Sequence, residues 1–242
     1  MAAPKRWRIG IYQSLSHLLI TLITLSLPFV FIGYFSSVAG LETAHLFADL
    51  FISSLRLLAA YLISLVLAWV LAAAFARGKA STVALPLFDV LQSFPTFAAL
   101  PLATFLWGTS NITVIVFLVL TVVWPMLFSI ISSMRLIRND WEEAVEVSGL
   151  KGWAYIRYFL LPASIPGVVT GSIVGLGEGW EALVATEIIV HIKYGLGGFF
   201  EKFSENTTVT AFGIFGFLLF IYAMNRIIWI PLLDWSHRTL EE

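Results

Sequence analysis

Cysteine is absent from the chain, and charged residues fill only 12% of its 242 positions. The first absence excludes disulfides, a thiolate nucleophile and cysteine metal ligation. The second sets the chain apart from soluble domains, in which about 25% charged residues is usual. With a formal net charge of -1, there is no concentrated basic surface for phosphates, so nucleic acid is not expected as a partner. No Gly-x-x-x-x-Gly-Lys-Ser/Thr run occurs, which removes the P-loop. Gly175-Leu176-Gly177-Glu178-Gly179 imitates a dinucleotide loop only superficially, because it lies inside an apolar run with no strand before it. His17, His45, His191 and His237 lack metal-ligand spacing, so no metal site is expected, and no residue is assigned a catalytic role.

Apolar residues make up 59% of the chain. They gather in six runs, near residues 17–38, 55–75, 85–107, 112–134, 166–190 and 209–233. A membrane-spanning helix needs about 20 such residues. The expected fold class is therefore an all-α polytopic membrane protein with about six transmembrane helices. In domain terms, 1–16 is an N-terminal segment, 17–233 the transmembrane domain with a polar loop at 139–163, and 234–242 a tail. The first run is longer than the 7–15 residues of a signal-peptide core, so it is read as a span. Between it and the second, residues 42–47 read as a short helix lying on the outer surface. Lys5, Arg6, Arg8, Arg77, Lys79, Arg135, Arg138, Lys151, Arg157, Arg226 and Arg238 all fall on one side of this arrangement. The positive-inside rule then places both termini and the 139–163 loop in the cytoplasm.

That loop holds the most informative spacing. Residues 141–148 place Trp141, Ala144, Val145 and Ser148 on one helical face, opened by an Asn139/Asp140 cap, with Glu142 and Glu143 at the positive end. Gly149 is suited to end the helix in a left-handed conformation. A second short helix at 153–159 is expected to stop at Pro162. Such a pair, apolar on one face and charged on the other, suits a groove on another protein. The plain alternative is a solvated loop that only caps the membrane domain.

The order Glu143-Ala144-Val145, three residues, Gly149, nine residues, Phe159, one residue, Leu161-Pro162 resembles the EAA loop of binding-protein-dependent ABC importer permeases. The spacing matches throughout. Val145 stands where the family has a second Ala and Phe159 where it has Ile, both still apolar. Gln92-Ser93-Phe94-Pro95, Leu100-Pro101-Leu102, Ala185-Thr186-Glu187 and Gly195-Leu196-Gly197 are similar to the nitrate, sulfonate and taurine subgroup. The resemblance runs from about residue 53 to the C-terminus. It implies a coupling helix that fits a cleft on a separate ATPase subunit carrying ATP and Mg, with no cofactor on this chain. It further implies a second permease copy or homologue, an extracytoplasmic substrate-binding protein, a location in the cell membrane, and a small anion such as nitrate, sulfonate, taurine or bicarbonate as substrate.

Within the fifth run Gly167, Gly171, Gly175 and Gly179 recur every four residues, a small-residue face that lets another helix come close. At 100° per residue Glu178 and Glu181 fall near that face and Glu187 nearly opposite. Ionisable groups at membrane depth face a bundle interior or an aqueous cavity. Glu178 and Glu181 therefore line the pathway, or pair structurally with Arg56 or hydroxyl groups. Gln92, Ser93 and Pro95 are added as pathway candidates, because proline breaks inside spans free backbone groups at substrate sites. Acidic groups are an awkward lining for an anion, so they are shielded or the substrate is not a simple anion. The rival class is an ATP-independent carrier or channel, with Glu178 and Glu181 as a proton or cation relay.

Overall fold

The computed structural model describes residues 6–39 and 43–241. In order the helices are α1 Arg6–Ala39, α2 Thr43–Phe75, α3 Ser81–Gln92, α4 Leu100–Trp107, α5 Asn111–Arg135, α6 Asn139–Ser148, α7 Gly152–Tyr155, α8 Leu161–Ile189, α9 Leu196–Lys202, α10 Thr207–Met224 and α11 Ile230–Glu241. Two compact units emerge, one from residues up to 45 with 203–232, the other from 46–202 with 233–242. Among the described residues five helices are long and apolar enough to cross a membrane, and a bent pair makes a sixth.

In the first unit α1 pairs with α10. Phe35 stacks on Phe212 at 4.5 Å between ring centroids, and Phe31 meets Phe215 at 5.6 Å. Helix α1 starts at Arg6, well before the apolar run, since no proline interrupts residues 6–16 and the lone Gly10 is tolerated within it; residues 1–5 of the expected N-terminal segment lie outside the described residues.

One expectation is corrected at the start of α2. The short surface helix at 42–47 is instead the first turn of α2, a single 33-residue helix; Glu42 lies outside the described residues. In the second unit the third run is bent, as the proline break read at Pro95 implies. Pro95 lacks an N–H and steers Phe94 away from helical geometry, so α3 ends at Gln92. A tight turn at Thr96–Ala99 restarts the chain, and the two halves meet at 68°.

The spine of this unit is the pairing of α5 with α8. A Cβ on Gly167 would stand 2.6 Å from the Ser129 carbonyl oxygen, and one on Gly171 would stand 2.8 Å from Met126 Cα. At Gly175 the Val122 carbonyl oxygen is 3.1 Å away, and at Gly179 a methyl of Leu57 is 2.8 Å away. Without side chains on these four positions the backbones reach contact distance, which replaces hydrophobic drive as the source of helix association in lipid. Helix α2 is tied to α8 by Trp69 Nε1 donating to Ser164 Oγ at 2.9 Å and by a Tyr61–Ser172 hydroxyl pair at 2.9 Å.

Gly171→Val is expected to lower the thermal unfolding temperature of the detergent-purified protein, through overpacking of about 1–3 kcal/mol. Gly177→Ala, where a Cβ meets nothing within 4 Å, is expected to leave the midpoint unchanged or slightly higher. Equal midpoints for the two variants would remove the seam from the account.

Candidate coupling surface, membrane cavity and ion-pair hub

At the joined ends of α5 and α8 the chain projects α6. None of its residues is buried: Glu143 and Ala144 are exposed, Val145 is half-buried, and Val147 is 90% exposed. Gly149 closes the helix with φ +73°, a conformation that costs a residue with a Cβ. The opening differs from expectation. Arg138 occupies the N-cap position in extended backbone with no side-chain cap, and Asp140 pairs with Arg138 instead of capping. The acidic start is held from below, since Glu142 pairs with Arg77 after the end of α2. Arg77 also donates to the Met134 carbonyl, while Arg135 Nε donates to the Ala76 carbonyl at 3.0 Å. Each arginine thus satisfies a terminal carbonyl of the other helix, where positive charge complements the helix dipole.

Pro162 does not stop a second short helix. Helix α7 passes through a wide turn at Ile156–Leu160, in which the Leu161 N–H reaches back to the Ile156 carbonyl, and continues as α8 to Ile189. Pro162 sits in the first turn of α8, where a missing N–H is tolerated, and the five-residue turn absorbs the mismatch. Phe159 is half-buried against Tyr155, 5.4 Å between centroids, while Leu161 and Pro162 are exposed.

Between the broken third span and the α5–α8 pair lies a cavity of about 650 Å³. It brings together Gln92, Pro95 and Glu178 with Trp124, Thr121 and the rings of Phe94, Phe97 and Phe128. Ser93 is turned back, its hydroxyl donating to the Asp89 carbonyl at 3.0 Å, and Gln92 donates to the Asp89 carboxylate at 2.9 Å. Glu181 is exposed and is not among the lining residues. A second cavity of about 660 Å³ follows on the α6 side, sharing Phe128 and Ser129 and reaching Arg138 and Trp141.

The glutamates are arranged differently from the expectation. Glu178 and Glu181 lie on the exposed side of α8, off the glycine seam, and Arg56 pairs with neither. Its partner is Glu187, which is fully buried. The reason is the geometry of ridges. Residues four apart drift about 40° around the helix at each step, and packed helices follow that inclined row. Gly167, Gly171, Gly175, Gly179, Leu183 and Glu187 form one such row, and all are buried.

Around Glu187 every partner is fixed. Ser53 donates to its carboxylate at 2.8 Å and the Gly197 N–H at 2.8 Å. Arg56 also donates to Asn111 at 2.9 Å and to the Tyr194 carbonyl at 2.8 Å. The Leu196 N–H donates to Ser53 and the Gly195 N–H to Asp49, so α9 starts with three consecutive N–H groups held by α2 and α8. Gly195 and Gly197 lack the Cβ that would overlap Glu187. This hub was missed among the site residues, although a charge at position 56 facing one at 187, beside Gly195-Leu196-Gly197, is the signal that finds it.

Helices of this number and apolarity define a multi-pass membrane protein. Residues 64–230 match the family model described as binding-protein-dependent transport system inner membrane component, and the chain belongs to that family, the permeases of ABC importers. The bicarbonate transport system permease protein CmpB of Synechococcus elongatus is 28% identical over 122 residues, 50% of this chain and 44% of the relative. The nitrate import permease protein NrtB of Leptolyngbya laminosa is 28% identical over 140 residues, 55% and 50% of the two chains. The taurine transport system permease protein TauC of Escherichia coli is 27% identical over 120 residues, 50% and 43%. The matched part of this chain thus spans about half the length of each of these curated relatives.

Arg56→Ala or Glu187→Ala alone is expected to cost about 3–5 kcal/mol, because each strands a buried charge. Replacing both by apolar residues, Arg56→Met with Glu187→Leu, is expected to recover most of that loss in thermal unfolding. Additive losses in the double variant would contradict the pairing.

Proposed function

We propose that this chain is the membrane-spanning permease subunit of an ATP-driven importer, in which α6 and the residues to Pro162 dock into a cleft on a separate ATPase subunit. The observation that carries the proposal is the exposed α6, its Glu143, Ala144 and Val147 unpartnered among the described residues while Arg77 and Glu142 tie its base to the ends of α2 and α5. A helix held at its base and bare on its outer face is built to receive a partner.

The mechanism follows from connectivity. ATP and Mg reside on the partner, and closure of an ATPase pair pushes on α6. Gly149 joins that helix to α7, which runs without a break into α8. Motion at the loop is thus passed along α8, and the glycine seam obliges α5 to move with it. The cavity holding Gln92, Pro95 and Glu178 lies against both helices and changes its access as they rock, a rigid-body form of alternating access. The active unit is a pair of permease subunits, with a second copy or homologue covering the exposed Glu178 and Glu181 face in the cell membrane. Both termini and α6 face the cytoplasm, on the weight of the Lys and Arg distribution. An extracytoplasmic binding protein delivers the solute, a small molecule bearing an anionic group, of the class for which the relatives are named.

Gly149→Pro and Glu143→Arg are each expected to abolish co-purification of the ATPase subunit while the permease itself still extracts as a folded protein. Retention of the ATPase by both variants would end the docking assignment. If uptake persists when ATP hydrolysis by the partner is blocked, the ATP-independent carrier with Glu178 and Glu181 as relay takes its place.

A further inference from the structure

The chemistry of the 650 Å³ cavity disagrees with a bare anion. Among the described residues its lining includes no Lys, Arg or His, and its one ionisable group is the carboxylate of Glu178. No hydrogen bond or ion pair from another described residue neutralises that carboxylate, and Glu181, the nearest further charge along α8, is also acidic. Four aromatic rings, Trp124, Phe94, Phe97 and Phe128, share the wall with it. Trp124 meets Phe88 in a tilted ring contact at 6.4 Å between centroids. An aromatic face and a carboxylate lining one cavity are the two groups that attract a protonated nitrogen, through the ring quadrupole and through charge. A like-charged solute is repelled by the same carboxylate.

We infer that the solute this permease carries bears a protonated nitrogen, which passes the Glu178 carboxylate with the Trp124 ring as its second partner. The inference rests on the importer reading above and narrows it. Any anionic end of such a solute is left to a neutral donor of the cavity, the Gln92 amide, which gives one N–H to Asp89 and has a second. Solutes with a negative charge and no ammonium group are poor cargo for this pathway.

The test is ATP-driven uptake into proteoliposomes by the assembled complex of this chain with its ATPase and binding protein. The probes are taurine, its hydroxyl analogue isethionate, nitrate and bicarbonate. Taurine is expected to be taken up, and Glu178→Gln to lower its uptake about tenfold, equivalent to about 1.4 kcal/mol. Glu178→Asp should restore part of the rate, and Trp124→Leu should reduce it where Trp124→Phe does not. Size-exclusion profiles and ATPase retention verify assembly of each variant, and the graded Asp and Phe replacements keep the outcome readable if one variant fails to assemble. ATP-driven uptake of nitrate, bicarbonate or isethionate that Glu178→Gln leaves unchanged would overturn the inference and leave the importer reading standing. Uptake of a probe that does not depend on ATP would overturn both. An equal loss for taurine and isethionate in Glu178→Gln would also overturn it, since the carboxylate then does not read the nitrogen.

Discussion

Contact between the backbones of α5 and α8 is the constraint on which the rest of the second unit depends. In lipid, apolar side chains gain nothing by leaving one hydrocarbon environment for another, so helices associate where they fit closely. Four glycines at every fourth position give α8 a groove deep enough for Val122, Met126 and Ser129 of α5. Once the two helices are locked, the rotation of α8 is settled along its length. Its inner row is buried down to Glu187, and its outer face presents Glu178 to the cavity.

The two ends of α8 then acquire different tasks from the same rotation. At one end the chain enters through α7 and the wide turn before Leu161, directly after Gly149, so the exposed α6 is attached to the helix that bears the glycines. At the other end Glu187 enters a site made by Ser53, Arg56 and the start of α9. A buried ion pair of this kind adds little net stability over an apolar pair. It specifies which ends of α2, α8 and α9 meet, because a misaligned partner leaves a charge unpaired in an apolar surrounding.

The reading from sequence was strongest where a pattern is local. The apolar runs become helices that end close to the expected bounds, though several start earlier, and Gly149 adopts the left-handed conformation foreseen for it. It was weaker where one residue admits two local outcomes. Pro95 breaks the third span, whereas Pro162 is absorbed by a five-residue turn and Pro125 lies within an unbroken α5. The Asn139/Asp140 cap failed for a similar reason, since Arg138 offered Asp140 a charged partner. The largest error concerned the face of α8. Treating the glycine face as a straight line put Glu187 opposite it, whereas the buried row is inclined and ends at Glu187.

The sequence by itself determined the class of molecule, the rough extent of its membrane-length runs, and the glycine that ends the first helix of the polar loop. These follow from transfer free energy, helix periodicity and turn chemistry, all of which act within about 20 residues of chain. Only the tertiary structure decided which charges meet. Arg56 and Glu187 are 131 positions apart, and Gln92 and Glu178 join one cavity from different helices. Such pairings depend on how α2 and α8 are rotated against one another. That rotation is set by the close packing of small side chains and the inclination of the rows they form.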